Sequence, residues 1–133
     1  MALGKLIQLP KYSDIRGNLS FIQEDSHVPF KVKRSFWIYD VPGGEERGGH
    51  AYHETEEFIV SLSGSFDVVL DDGAGNVQTF QLNRSYYGLY VPKMIWRQMT
   101  NFSTNSVALV LASTFYDAND YFRDYDVFKA TKR

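Results

Sequence analysis

The stretch RGGHAYHETEEF, residues 47–58, decides how this chain is read. On a strand, residues two apart share a face. His50 and Tyr52 therefore point one way, and Ala51 and His53 the other. Glu57 follows at once and opens an apolar run, FIVSL. Polar groups gathered on one face, feeding into a buried strand, read as the wall of a pocket built inside β-structure.

Working outward, short strand-like runs dominate, separated by turn residues. GKLIQLP (4–10) is a strand stopped by Pro10, and GNLSFIQED (17–25) follows the turn SDIRG. KVKRSFWIYDV (31–41) alternates and ends at PGGEERGG. EEFIVSLSGSFDVVLDDGAGNVQTFQL (56–82) reads as three strands joined by a Ser-Gly turn and an Asp-Asp-Gly turn. YYGLYVP and SVALVLAST add two more. Only the tail from Asp117 has helical character, and Asp117, Asn119 and Asp120 place short turns before it. Many closely spaced strands without long amphipathic stretches predict an all-β jelly roll or sandwich.

The bulk numbers fit that class. A chain of 133 residues suits one domain spanning 1–133 and can bury a core without staples. There is no cysteine, which excludes disulfides and thiolate chemistry and suits a reducing cytosol. A net charge of −2 gives no electrostatic footprint for nucleic acid. The start lacks the apolar core of a signal peptide, and no run approaches a membrane span. The expectation is a cytoplasmic protein that binds neither nucleic acid nor membrane. Aromatics make up 16% of the residues, enough for a β core or a pocket that stacks on flat ligands.

The spacing fits the cupin template, a double-stranded β-helix barrel. Its first half wants His-x-His, four residues, Glu, six residues and Gly; His50, Tyr52, Glu57 and Gly64 fall there. Its second half wants Pro, one residue, Gly, two residues, His, three residues and Asn; Pro92, Met94, Arg97 and Asn101 fall there. Only His50 and Glu57 survive of the four metal-ligand positions. Arg97 has no lone pair to give and carries a permanent charge, so it repels a cation. His53 cannot substitute, because it lies on the opposite face from His50 and Tyr52. No metal and no cofactor is expected. What remains is a set for acid–base chemistry: a His to take a proton from carbon, and an Arg or Tyr to hold the resulting oxyanion.

Several longer blocks carry a specific resemblance. DIRGNL, KRSFWIYDVPGGEERGGHAY, SGSFDVVLDDG, GLYVPKMIWRQM and the spaced tail VLAST-YD-NDY-RDYD resemble the cupin-type dTDP-4-keto-6-deoxy-glucose 3,4-ketoisomerases, the WxcM-like sugar-nucleotide isomerases. The resemblance runs from about residue 5 to residue 128. It implies a cupin-like jelly-roll subunit with a short C-terminal tail, a homodimer and no metal. It implies migration of the hexose ketone from C4 to C3 through an enediol, in the synthesis of deoxy-amino sugars for surface polysaccharide.

Carried over residue by residue, the resemblance makes His50 the candidate base. Tyr52, standing where the family has a second active-site His, becomes acid or relay. Arg97 occupies a position that is His in some members and Arg in others, and it faces the sugar. Arg16, in DIRG, lies in another pocket-lining block. Arg47 suits a pyrophosphate through its planar fork, and Glu57 adds a carboxylate to the substrate wall. Trp37 and Tyr39 share one strand face, where they stack on thymine, wall the sugar, or pack in the core or a dimer. The LDDG run reads as a hairpin turn, and DANDYFRDYD as a capped tail without the calcium-loop pattern. Two further functions compete with the isomerase: a nucleotide-sugar epimerase of related fold, which also pairs a base His with a Tyr acid, and an idle cupin that binds a sugar nucleotide.

Overall fold

The computed structural model describes residues 2–132. Twelve strands and one short helix follow one another along the chain. One sheet has the order β1 (Lys5–Gln8), β9 (Tyr87–Val91), β6 (Glu57–Ser63), β11 (Val107–Ala112), β4 (Arg34–Tyr39). The second runs β12 (Tyr121–Phe122), β5 (Arg47–Tyr52), β10 (Trp96–Thr100), β7 (Phe66–Asp71), β8 (Val77–Leu82). Every strand pairing within these sheets is antiparallel. The all-β expectation holds in its jelly-roll form: two sheets packed face to face rather than a closed barrel. A separate hairpin of β2 (Lys11–Asp14) and β3 (Gly17–Ser20) pairs only with itself among the described residues.

Alternation builds the core. FDVVLD on β7 buries Phe66, Val68 and Leu70, and VALVLA on β11 buries Ala108, Val110 and Ala112. Phe66, Val68, Leu70, Leu82 and Met99 from one sheet meet Ile59, Leu89, Val91, Ala108 and Val110 from the other. On β6 the opposite face is apolar as well, and Leu9, Val28 and Phe30 cover Phe58 and Val60. That double burial explains the continuous apolar run that follows Glu57.

The template glycine Gly64 has φ +68, and a Cβ there would press on the Ser106 Cα at 3.0 Å. Met94 (φ +60) and Asn101 (φ +56) also take left-handed backbone. The spacing of the template is therefore a record of where the strands must turn. The LDDG run closes the β7–β8 hairpin as expected: the Asp72 carboxylate accepts from the amides of Ala74 and Asn76 and from the Asn76 side chain.

The tail is more structured than its turn residues suggested. A 3-10 turn (Ala118–Asp120) leads into β12 and then into α1 (Tyr125–Thr131). Asp124 caps α1, accepting from the amides of Asp126 at 2.9 Å and Val127 at 3.3 Å. Phe128 is fully buried against Phe122 and Ala51. The face of β5 opposite His50 is thus covered by the tail. Among the described residues no helix is long and apolar enough to cross a membrane.

Candidate active site

His50 and Tyr52 point inward from β5, as their spacing requires. Between the sheets, near the edges formed by β4 and β12, lies a cavity of about 440 Å³. Phe36 and Ile38 from β4, Arg47, His50 and Tyr52 from β5, Arg97 from β10, and Tyr121 and Arg123 from the tail line it. A β-bulge shapes this wall: Arg97 pairs with His50 and Met99 with Arg47, so β5 carries one extra residue there. Gly48 sits in the bulge with φ +74, and a Cβ on it would collide with Arg97 Nη1. The bulge glycine makes the room that Arg97 occupies.

Arg97 and Glu57 are each 1% exposed and bind each other in fork geometry. Arg97 Nε donates to Glu57 Oε1 at 2.7 Å and Nη2 to Oε2 at 2.9 Å. Both fall where the template places them. However, they satisfy each other first and are not two free ligand groups. The Tyr52 hydroxyl donates to Glu57 Oε2 at 3.1 Å. Both Glu57 oxygens are thus already engaged, and its charge is matched by the Arg97 guanidinium. Among the described residues no three His, Cys, Asp or Glu side chains gather as metal ligands. This donor set does not fit a cupin-type metal.

Three aromatic rings pack edge to face around the deep end. Centroids are 4.9 Å apart for His50–Tyr52, 5.0 Å for His50–Tyr121 and 4.7 Å for Tyr52–Tyr121. The Tyr121 hydroxyl lies 3.5 Å from that of Tyr52. Cross-strand pairing brings them together, since Tyr121 stands opposite Tyr52 on β12. Asp120 anchors that short strand: its carboxylate accepts from the amides of Glu54 at 2.8 Å and Thr55 at 3.2 Å, and from the Thr55 hydroxyl. The Arg123 guanidinium lies over the Tyr121 ring at 4.1 Å.

Electrostatics divides the roles. Burial, reinforced by the cations Arg97, Arg123 and Arg34, pushes the His50 imidazole down to about 2, so it is neutral at any working pH. Burial and the Glu57 carboxylate push the Tyr52 phenol far above its ordinary range, so it keeps its proton. Burial disfavours the Arg97 charge, but Glu57 more than offsets this and the guanidinium stays ionised. Among the described residues three buried polar atoms have no partner: His50 Nε2, Arg97 Nη1 and Arg34 Nε. The first two belong to side chains that line the cavity, one a potential acceptor and the other a cationic donor.

The remaining sequence candidates separate. Arg47 borders the cavity, and so does Trp37. Trp37 and Tyr39 nevertheless lie on the outer face of β4, 58% and 59% exposed, and Tyr39 does not reach the cavity. Arg16 sits on the β2–β3 hairpin, exposed and paired with Asp14 at 2.6 Å, away from the cavity of its own chain. His53 points away from His50 and stacks on Phe122 at 3.8 Å. Sequence reading missed Tyr121, Arg123 and Arg34. A signal for the first two was present: Phe122 between them is apolar, so Tyr121 and Arg123 share the polar face of a strand.

The family model WxcM-like, C-terminal (FdtA) matches residues 3–133. The chain belongs to this family. Within it, the chain is 44% identical over 125 residues to the TDP-4-oxo-6-deoxy-alpha-D-glucose-3,4-oxoisomerase of Aneurinibacillus thermoaerophilus, covering 94% of this chain and 89% of that one. The crystal structure of a 3,4-ketoisomerase from Helicobacter canadensis superposes with TM-score 0.93 at 40% identity, covering 97% of this chain and 96% of that one. A histidine-to-asparagine mutant of a 3,4-ketoisomerase from Thermoanaerobacterium thermosaccharolyticum, in complex with TDP-4-keto-6-deoxyglucose, gives 0.95 at 30% identity, covering 99% and 95%. The WxcM-like fold therefore extends over nearly the whole chain.

Proposed function

We propose that this protein is a sugar-nucleotide 3,4-ketoisomerase that moves the ketone of a TDP-linked 4-keto-6-deoxyhexose from C4 to C3 without a metal. The observation that carries the reading is the pair of unpartnered buried atoms on cavity-lining side chains, His50 Nε2 and Arg97 Nη1, in a chain of the WxcM-like family. A neutral imidazole accepts the proton on C3, and the free guanidinium nitrogen holds the oxygen on which negative charge develops. Glu57 fixes the Arg97 fork so that Nη1 alone remains for substrate. Tyr52, bound to Glu57, acts as a positioning group, not as a base.

The diphosphate enters past Arg47 and Arg123, which line the cavity. Its negative charge opposes the cationic share of the His50 depression and so makes the base stronger when substrate is present. Trp37 stands at the rim for the thymine or the sugar. Arg16 and Tyr39 enter only through a second copy. The hairpin exposes Tyr12, Ile15 and Leu19, and the homodimer we propose covers them and carries Arg16 towards a neighbouring site. We place the reaction in the cytoplasm, in deoxy-amino-sugar synthesis for surface polysaccharide.

One observation favours a second reading, a binder without turnover: the position of the family's second His holds a phenol that keeps its proton. NMR of the protein with dTDP-4-keto-6-deoxy-glucose in deuterated water separates the two. Deuterium at C4 with a ketone at C3 is expected, and the C4 coupling gives the stereochemistry. Inverted stereochemistry with an unmoved ketone would mean an epimerase. TDP binding with no exchange and no migration would mean a binder.

A further inference from the structure

We infer that Tyr121 is the catalytic residue that carries the oxygen-bound proton of the reaction, and that Tyr52 holds it in place. The inference rests on the ketoisomerase reading above. Two phenols face the cavity, and their surroundings differ. The Tyr52 hydroxyl is buried and donates to Glu57. Releasing that proton would set a phenolate beside a carboxylate in a dry site. Among the described residues the Tyr121 hydroxyl has only the 3.5 Å contact with Tyr52, and the Arg123 guanidinium covers its ring. A cation over the ring favours a transient phenolate, and the Tyr52 oxygen beside it fixes where the hydroxyl points.

The steps balance with these two side chains alone. In the first half, the C3–H bond breaks and its proton goes to His50. The electron pair becomes the C3–C4 double bond, the ketone pair moves to O4, and O4 takes the Tyr121 proton. In the second half, O3 gives its proton back to the Tyr121 oxygen and forms the C3 ketone. The double-bond pair then takes the proton from His50 at C4. Both side chains return to their starting states, and the only redox change is the shift of the ketone within the sugar. Tyr121 lies 5.0 Å from His50 ring to ring, so one substrate can touch both.

The test is the ratio of ketone migration to C3–H exchange in deuterated water, measured for wild type, Tyr121→Phe and Tyr52→Phe, with TDP binding and thermal midpoint followed in parallel. Without Tyr121 the enolate still forms on Arg97 and returns, so exchange persists. Migration per exchange event should fall by about 100-fold or more, in the range of a lost general acid. Tyr52→Phe keeps the Tyr121 hydroxyl and its strand pairing with β5 and loosens only its positioning, so it should keep the ratio while lowering the overall rate. A Tyr121→Phe protein that migrates the ketone at the wild-type ratio, or that loses TDP binding or fold instead, overturns the role and leaves the ketoisomerase reading standing. A wild type that moves no ketone overturns the reading, and the inference with it.

Discussion

Replacing Glu57 by Gln removes one charge and almost no volume. It leaves Arg97, 1% exposed, as a buried cation whose only carboxylate is gone. Breaking a buried ion pair at one partner costs about 3–5 kcal/mol, because the surviving charge loses its compensation. Unfolding entropy is roughly 2.1 cal/mol/K per residue. For a chain of 133 residues that amounts to about 0.28 kcal/mol per degree. The melting temperature should therefore fall by about 11–18 °C. The loss should persist in about 1 M salt, since a pair this deep is barely screened. Calorimetry on the two proteins measures it directly. A companion, Glu57→Leu with Arg97→Met, removes both charges and should recover most of the stability while abolishing turnover. A drop of less than about 3 °C for Glu57→Gln, near 1 kcal/mol, would refute the reasoning. It would mean that Arg97 finds another partner, and that Glu57 is not what aims Nη1 at the substrate.

Two further outcomes follow from the same site. His50 is held near 2 in the fold against an ordinary 6.5, so the unfolded chain binds the proton first. Its contribution to stability is full above pH 6.5 and is lost as pH falls towards 2, at about 1.4 kcal/mol per unit. Between pH 6.5 and 4.5 wild type should lose about 2.3 kcal/mol more than His50→Asn in urea titrations; parallel losses would show that the folded protein protonates His50 readily. Gly48→Ala combines a strained φ with a collision at Arg97 Nη1 and should cost about 1–3 kcal/mol and most of the activity. Wild-type kcat in that variant would show that Nη1 need not stay where it is.

The fold was legible because burial here follows period two. FDVVLD and VALVLA announce their inward faces, and the turn glycines and aspartates mark the ends. β2 was not legible: all four of its residues are exposed, so no apolar alternation exists to read. Half of the site was legible for the same reason as the core. His50, Tyr52, Glu57 and Arg97 lie on long strands whose parity fixes their direction. Their mutual bonds were not, since a spacing template gives positions and not partners. It offered Glu57 and Arg97 as two substrate ligands, and the structure spends four of their five polar side-chain atoms on each other and a third contact on Tyr52. Trp37 and Tyr39 show the converse limit. Their shared face was readable, but which face of an edge strand looks inward depends on the sheet packed across from it. Tyr121 and Arg123 come from a strand of two residues, placed by register with β5 and by the Asp120 clasp. Both are long-range facts that no local pattern encodes.

The tail gives the cavity a wall with its own stability. β12 contributes two residues of pairing to β5, and the tail's other attachments include the Asp120 hydrogen bonds, the packing of Phe128, the Tyr125 hydroxyl donating to Asp71 and the Lys132 ammonium donating to the Met94 carbonyl. No tail residue enters the cluster between the two sheets. Such a unit can open and reclose while the sandwich stays folded, at a free energy well below that of global unfolding. Each opening carries Tyr121 and Arg123 away from His50 and lets water into the deep end. Heating therefore silences the site before it melts the protein, and a ligand that bridges Arg47 and Arg123 works as a latch, adding its binding energy to the weakest seam in the molecule.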